Sequence, residues 1–184
     1  MREPDAATER LFLAVPLAED ARNEIIARLP PLPGRIVPPG NWHFTLRYLG
    51  NTAPTVRDSL VSALRNAALG RRFSIRFDGL GAFPRPRRAR IIWLGVTEGA
   101  AQLAALAESV ESVVRRTGFP AEERPFRAHL TLSRIEPARS IADTLAVQPQ
   151  LDVTMTVRDV CLIRSELGAG PARYALVERV FLKA

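Results

Sequence analysis

The amino-acid sequence predicts an α+β fold with mostly antiparallel sheet, arranged as two similar lobes. Segments with the alternating or continuous apolar patterns of strands outnumber the helical segments, and several of them follow one another directly. Strand pairs separate the two longest helical patterns. A short motif that begins with histidine occurs once in each half of the chain, as HFTL from His43 and as HLTL from His129.

In the first half, the compact apolar segment 9–17 predicts a strand, and apolar residues at helical spacing in 18–29 predict a helix. The proline-rich segment 30–41 predicts a loop. Clean alternation in 42–50 predicts the strand that carries the first motif. Segment 52–69 then shows one apolar helical face and predicts a second helix.

Further along the chain, segments 71–83 and 89–96 predict two strands joined by the basic loop PRPRRAR. The longest helical pattern, 100–118, ends at Gly118, since glycine readily adopts the left-handed conformation at a helix C-terminus. The remaining predicted strands are 127–135, 172–182 and the segment 151–167, taken as one long or bent strand. Each half thus places a strand and a helix before its histidine strand, which predicts pseudo-twofold symmetry.

The 184 residues fit a single domain, 1–184, with two small lobes on one core. The formal net charge is +7, and Lys183 is the only lysine. Such an arginine excess attracts polyanions such as RNA, although arginines scattered over a solvated surface give the same composition. No apolar run approaches the roughly 18 residues of a membrane span, so we expect no membrane association and a cytoplasmic location. Cys161, in an apolar segment, is expected to be a small core residue.

Both histidine motifs lie in predicted strands, whose side chains alternate between two faces. In the first strand, strict alternation places His43, Thr45 and Arg47 on one face. The opposite, apolar face carries Trp42, Phe44, Leu46 and Tyr48. In the second strand, the histidine face carries Arg127, His129, Thr131 and Ser133. Each histidine therefore has a threonine hydroxyl as its neighbour about 6 to 7 Å along the strand.

Two histidines that face one cleft can divide a proton-transfer reaction between them. Imidazole has an unperturbed pKa of about 6.5, so it acts as acid or base at cellular pH. Hydrolysis of a cyclic phosphodiester needs both roles, because the attacking water loses a proton and the departing sugar oxygen gains one. Threonine hydroxyls can donate hydrogen bonds to the phosphate oxygens. With two histidines, one cysteine and no glycine-rich phosphate loop, the sequence predicts neither a metal site nor a cofactor.

The sequence resembles the two-histidine phosphoesterase superfamily, whose signature is a pair of His-x-Thr-x motifs. Within it, the chain looks like the RNA 2′,3′-cyclic phosphodiesterases of bacteria and archaea, historically called 2′-5′ RNA ligases. The likeness extends over nearly the whole chain, from RLFLAVPL through NWHFTLRYLG, FPRPRRARIIWLGV and RPFRAHLTLSR to LIRSELGAGPARYALVE. The resemblance implies helices on the outside of each lobe and an active-site cleft between the lobes.

The same resemblance implies roles for the motif residues. His43 would be the proton donor to the leaving oxygen and His129 the proton acceptor that activates water, although the near-symmetric geometry permits the reverse. Thr45 and Thr131 would hold the phosphate. The family releases the 3′ oxygen and leaves a 2′-phosphate, on RNA or nucleotides with a 2′,3′-cyclic phosphate end. We further expect a monomer with no obligate protein partner.

Five arginines are candidate contacts to RNA or its phosphate: Arg47, Arg127, Arg134, Arg87 and Arg88. The first two fall on the histidine faces by alternation. Arg134 falls on the opposite face unless a bulge after Ser133 re-aims it. The last two belong to the basic loop, which either follows an RNA backbone beside Phe83 or is simply solvated.

Two other functions fit parts of the same pattern. One is 2′-5′ ligation of RNA halves without ATP, from cyclic-phosphate and 5′-hydroxyl ends. The other is a non-catalytic RNA-binding module, which the basic composition favours. The paired histidines and threonines weigh against the second, because binding alone needs cations more than paired imidazoles.

Overall fold

The computed structural model describes residues 8–149, 151–168 and 170–184. The strands in these residues are β1 (Glu9–Pro16), β2 (Arg35–Ile36), β3 (His43–Thr52), β4 (Phe73–Phe83), β5 (Ala89–Val96), β6 (Leu130–Arg139), β7 (Thr154–Val157), β8 (Asp159–Glu166) and β9 (Arg173–Phe181). The helices are α1 (Glu19–Arg28), α2 (Pro54–Arg65), α3 (Ala100–Arg116) and α4 (Ala142–Ala146), with 3₁₀ turns at Pro39–Asn41 and Pro86–Arg88. Residues 1–7 of the expected single domain lie outside the described residues.

The described strands form two antiparallel sheets, which confirms the predicted α+β class. One sheet has the order β3-β1-β8-β9 and the other the order β2-β6-β5-β4-β7. By position, β3-β1-β8-β9 corresponds to β6-β5-β4-β7, so the two motif strands occupy equivalent places. The connections agree, because β1-α1-β3 and β5-α3-β6 both run strand, helix, motif strand. This is the pseudo-twofold arrangement that the paired motifs predict.

The predicted single strand 151–167 is two strands that belong to different sheets. β7 pairs with β4, whereas β8 pairs with β1 and β9. The exposed Arg158 lies between them. The sequence gives no sign of this change because the strand pattern continues across it, and only the pairing partners differ. The short helix α4 is also absent from the sequence prediction.

The predicted loop 30–41 contains a short strand as well as a turn. Arg35 of β2 pairs with Arg134 of β6. The preceding Gly34 has a φ of +92°, and a Cβ there would lie 2.5 Å from the Arg134 carbonyl oxygen. Only glycine permits so close an approach in that conformation. The segment therefore becomes an edge strand beside the second motif.

One apolar core joins the two sheets. Phe44 of β3 and Phe77 of β4 are fully buried and stack with ring centroids 5.9 Å apart. Helix α3 contacts both β3 and α2, and Gly118, with a φ of +93°, follows its end as predicted. Cys161 is buried and burial raises its pKa to about 11, as expected for an apolar core residue.

Candidate active site

The structure brings both His–Thr pairs to one cavity of about 620 Å³. His43 and Thr45 reach it from β3. His129, immediately before β6, and Thr131 within β6 reach it from the other sheet. Strands β3 and β6 are in contact, so the two motifs approach each other where the sheets meet. The predicted cleft between the lobes is therefore present and contains all four motif side chains.

Each histidine ring is held by the backbone two residues before it. His43 Nδ1 lies 2.7 Å from the carbonyl oxygen of Asn41, and His129 Nδ1 lies 2.7 Å from that of Arg127. A carbonyl only accepts, so Nδ1 carries the proton in both rings and Nε2 is the free base of the neutral form. The Asn41 side chain in turn donates to the carbonyl of Ala172 at 2.8 Å, which anchors this turn.

Aromatic side chains pack against both imidazoles. Phe12 lies 4.8 Å from His43 between ring centroids, and Tyr174 meets the same imidazole edge-on at 5.5 Å. Phe83 packs edge-on against His129 at 5.1 Å. These rings restrict the imidazoles to one orientation and remove water from one side of each.

Burial lowers the pKa of both histidines below the ordinary 6.5. For His43, the positive charges of His129 and Arg134 lower the pKa further, whereas the Asn41 carbonyl opposes the shift. For His129, the Arg127 carbonyl likewise opposes the larger effect of burial. Both imidazoles are thus mainly neutral at pH 7 in the free protein. A bound phosphate anion would favour protonation.

A β-bulge follows the threonine of each motif. In β3, Thr45 pairs with Ala14 of β1 and Arg47 pairs with the adjacent Leu13, so Leu46 has no partner in β1. In β6, Thr131 pairs with Trp93 of β5 and Ser133 pairs with the adjacent Ile92, so Leu132 has no partner in β5. Such a bulge reverses the alternation of side chains beyond it.

The bulges correct four of the predicted side-chain directions. Tyr48, expected on the apolar face, lines the cavity together with Arg134. Arg47 and Ser133, expected on the histidine faces, are buried at 8% and 0% exposure. Arg134 reaches the cavity as proposed, but the bulge that re-aims it precedes Ser133 instead of following it.

Arg47 is not a phosphate contact, and that expectation is wrong. Its guanidinium forms ion pairs at 2.8 Å with Glu111 of α3 and at 2.8 Å with Glu122, and it donates to the carbonyl of Pro120. Ser133, its counterpart in the other sheet, donates through Oγ to the carbonyl of Pro33. Both residues brace neighbouring backbone instead of facing the cavity.

The other predicted arginines lie outside the cavity. Arg127 is exposed, and what it contributes to the site is its backbone carbonyl. Arg87 and Arg88 lie in an exposed 3₁₀ turn and do not line this cavity.

Sequence reasoning missed Arg10 and Arg35, which do line the cavity. Arg10 lies 5.3 Å above the ring of Tyr48, a cation–π contact across β1 and β3. The alternation of side chains along β1 could have indicated that Arg10 faces the cavity. No signal was available for Arg35, because its segment has the composition of a loop.

The fold and the paired histidines define a two-histidine phosphoesterase. The chain belongs to the 2′-5′ RNA ligase superfamily, whose family model matches residues 16–169. Within the described residues, no helix is long and apolar enough to cross a membrane. In the same residues, no group of three or more histidine, cysteine or acidic side chains is placed to hold a metal ion.

Relatives and solved structures agree with this assignment. The RNA 2′,3′-cyclic phosphodiesterase of Methanothermobacter thermautotrophicus is 33% identical over 173 residues, which cover 88% of this chain and 93% of that protein. The protein of the same name from Aeropyrum pernix is 38% identical over 110 residues, which cover 60% of this chain and 62% of that protein. The crystal structure of Escherichia coli LigT with 3′-AMP superposes with a TM-score of 0.81 at 29% identity, covering 96% of this chain and 99% of that one.

The chain's two histidines permit a direct test of the pKa shifts. We expect both imidazoles to titrate below pH 6.5 in an NMR pH series, and Arg134→Gln to raise the pKa of His43 by removing a nearby positive charge. Because the unfolded chain binds these protons more readily, the free energy of unfolding should fall as the pH drops from 6.5 through the folded pKa values. Titration of both rings at or above 6.5 would contradict the described burial.

A second test separates the bracing role of Arg47 from phosphate binding. Arg47→Met leaves Glu111 without its arginine and Glu122 with only the exposed Arg124, so we expect urea denaturation to show a loss of roughly 3 kcal/mol in the free energy of unfolding. The matched control is Arg124→Met, which removes an exposed partner of the same Glu122 and should cost less than about 1 kcal/mol. Histidine NMR shifts should show unchanged affinity of Arg47→Met for inorganic phosphate. Weaker phosphate binding with unchanged stability would restore the original expectation.

Proposed function

We propose that this protein hydrolyses 2′,3′-cyclic phosphates at the ends of RNA or nucleotides to 2′-phosphates, by acid–base catalysis between its two histidines. The observation that carries the proposal is the single cavity in which two imidazoles, each fixed through Nδ1, are accompanied by two threonine hydroxyls. Such a set can accept one proton and donate another around one phosphorus atom.

In the proposed reaction, neutral His129 accepts a proton from water through Nε2 while the water oxygen forms a bond to phosphorus. The bond from phosphorus to the 3′ oxygen breaks, and protonated His43 gives its Nε2 proton to that oxygen. The products are a 2′-phosphomonoester and a free 3′ hydroxyl. His129 then returns its proton to solvent and His43 regains one, so each turnover consumes one water molecule.

The contact between Thr45 and His43 couples protonation to phosphate binding. In the free protein, Thr45 Oγ1 lies 3.1 Å from His43 Nε2, and since neutral Nε2 accepts, the hydroxyl donates. Once His43 is protonated, Nε2 can no longer accept. The threonine hydrogen is then available to a non-bridging phosphate oxygen, whose charge grows in the transition state.

Positive side chains at the cavity attract the phosphate. Arg10, Arg35 and Arg134 all line it. The anion that they attract favours the imidazolium form of the histidines, which burial disfavours in the free protein. We infer that substrate binding therefore brings the proton that His43 later donates.

The relatives' names support hydrolysis over ligation. Proteins named RNA 2′,3′-cyclic phosphodiesterase align with 88% of this chain in one case and 97% in another. Ligation would place an RNA 5′ hydroxyl where water attacks and use the same reacting group. A purely RNA-binding role does not explain why both imidazole rings are held in the same way, through Nδ1, in one cavity.

We infer in addition that one bilobal domain, residues 1–184, acts as a cytoplasmic monomer without a cofactor or an obligate protein partner. The support is that one chain supplies every proposed catalytic group.

The first test of the function is product analysis. Incubation with 2′,3′-cyclic nucleotides in the presence of a metal chelator should yield 2′-monophosphates, separated from the 3′ isomers by chromatography. His43→Ala and His129→Ala should each lower kcat by roughly 10²- to 10⁴-fold, because each removes one proton transfer. Thr45→Val and Thr131→Val should cost roughly 10²-fold. Absence of product, or unchanged rates in both histidine variants, would exclude the proposal.

The second test assigns acid and base. A good leaving group needs no protonation, so His43→Ala should hydrolyse bis(4-nitrophenyl) phosphate within about tenfold of the unsubstituted protein while losing roughly 10²-fold or more on the cyclic nucleotide. His129→Ala should lose activity on both substrates, because water still needs its base. The opposite pattern would exchange the two roles.

A further inference from the structure

A second cavity of about 860 Å³ adjoins the active site. We call it the basic groove, and it is lined by Gly34, Arg35, Arg90, Ile91, Arg134, Ile135, Glu136, Pro137 and Arg139. Arg35 and Arg134 line both cavities, so the groove begins where the active site ends.

The groove carries a charge that the protein itself does not neutralise. Its four arginines are exposed, and among the described residues Glu136 is the only acidic one that lines it. Within the described residues, none of the four forms an ion pair, whereas Arg57, Arg76 and Arg164 each pair with two acidic side chains. The groove arginines therefore remain available to an external anion.

Strands hold these arginines in place. Arg35 pairs with Arg134 between β2 and β6. Arg139 pairs with Ala89 of β5, next to Arg90. Because β6 also carries Thr131, one strand leads from the catalytic pair to the far end of the groove. The row of charges thus has a fixed position relative to the reacting phosphate.

We propose that the basic groove binds the backbone phosphates of a single RNA strand whose 2′,3′-cyclic end occupies the active site, an inference that rests on the proposed function. Arg35 and Arg134 lie at the junction, and Arg90 and Arg139 contact phosphates further along the strand. No aromatic side chain of the described part of the chain lines the groove, so the contacts are to phosphate and carry little sequence preference. The groove makes the protein favour oligonucleotide ends over cyclic mononucleotides.

The test uses a double variant, R90Q/R139Q, which changes the groove and leaves the active-site cavity intact. We expect kcat/KM for an RNA oligonucleotide with a 2′,3′-cyclic end to fall about tenfold at low salt, and kcat/KM for a 2′,3′-cyclic mononucleotide to change less than about twofold. For an oligonucleotide ending in a 2′-phosphate, fluorescence anisotropy should give a salt dependence weaker by about 1.4 in log–log slope, since two phosphate contacts are lost. The matched control is R115Q/R158Q, which removes the same charge from two exposed arginines that line neither cavity.

The outcomes separate the groove from the catalytic proposal. If the control weakens oligonucleotide binding as much as R90Q/R139Q does, net charge and not the groove binds RNA. If R90Q/R139Q changes both substrates equally, or neither, the groove is not an RNA site. The unsubstituted protein could hydrolyse no cyclic phosphate while R90Q/R139Q, and not the control, weakens oligonucleotide binding. In that case RNA binding by the groove is supported and the proposed reaction is excluded.

Discussion

The bulge after the threonine of each motif is the constraint on which the site depends. Without it, Arg47 and Ser133 would point into the cavity, and Tyr48 and Arg134 would point into the core. With it, the buried residue that follows the bulge in each motif strand contacts the segment that precedes the other motif. Arg47 holds the segment of Pro120 and Glu122, which leads to His129, and Ser133 holds Pro33, which leads to the turn before His43. Each motif strand thereby contacts the segment that leads to the other motif.

A second constraint acts on the rings themselves. Donation from Nδ1 to a backbone carbonyl at 2.7 Å selects the same tautomer in both imidazoles. That hydrogen bond favours the protonated form, whereas burial favours the neutral form, and burial prevails. The free protein therefore holds two neutral bases, and a ligand has to favour protonation of one of them. The positive charges of His129 and Arg134 lower the pKa of His43 but not that of His129, so the free protein does not prepare His43 as the acid.

Much of this could be predicted from the sequence, because strand patterns and the repeated motif are local properties. The α+β class and the pseudo-twofold order follow from them, and the family resemblance implies in addition that His43, Thr45, His129 and Thr131 meet in one cleft. The side-chain directions beyond each threonine could not be predicted, because a bulge depends on pairing with β1 or β5. For the same reason the sequence does not reveal that the strand pattern around Arg158 changes sheets, since only the partners change there.

Pairing also decides what the arginine excess does. A net charge of +7 does not distinguish an arginine that braces the fold from one that awaits an anion. Arg47 forms ion pairs with two glutamates inside the protein. Among the described residues, the four groove arginines have no acidic partner, and they line one surface beside the active site: Arg35, Arg90, Arg134 and Arg139. Unpaired cations so close together repel one another, and a phosphate anion relieves that repulsion. In the proposed reaction, the phosphate bound beside the histidines favours their protonated form, and Arg35 and Arg134, which line both cavities, would attract both this phosphate and the RNA backbone.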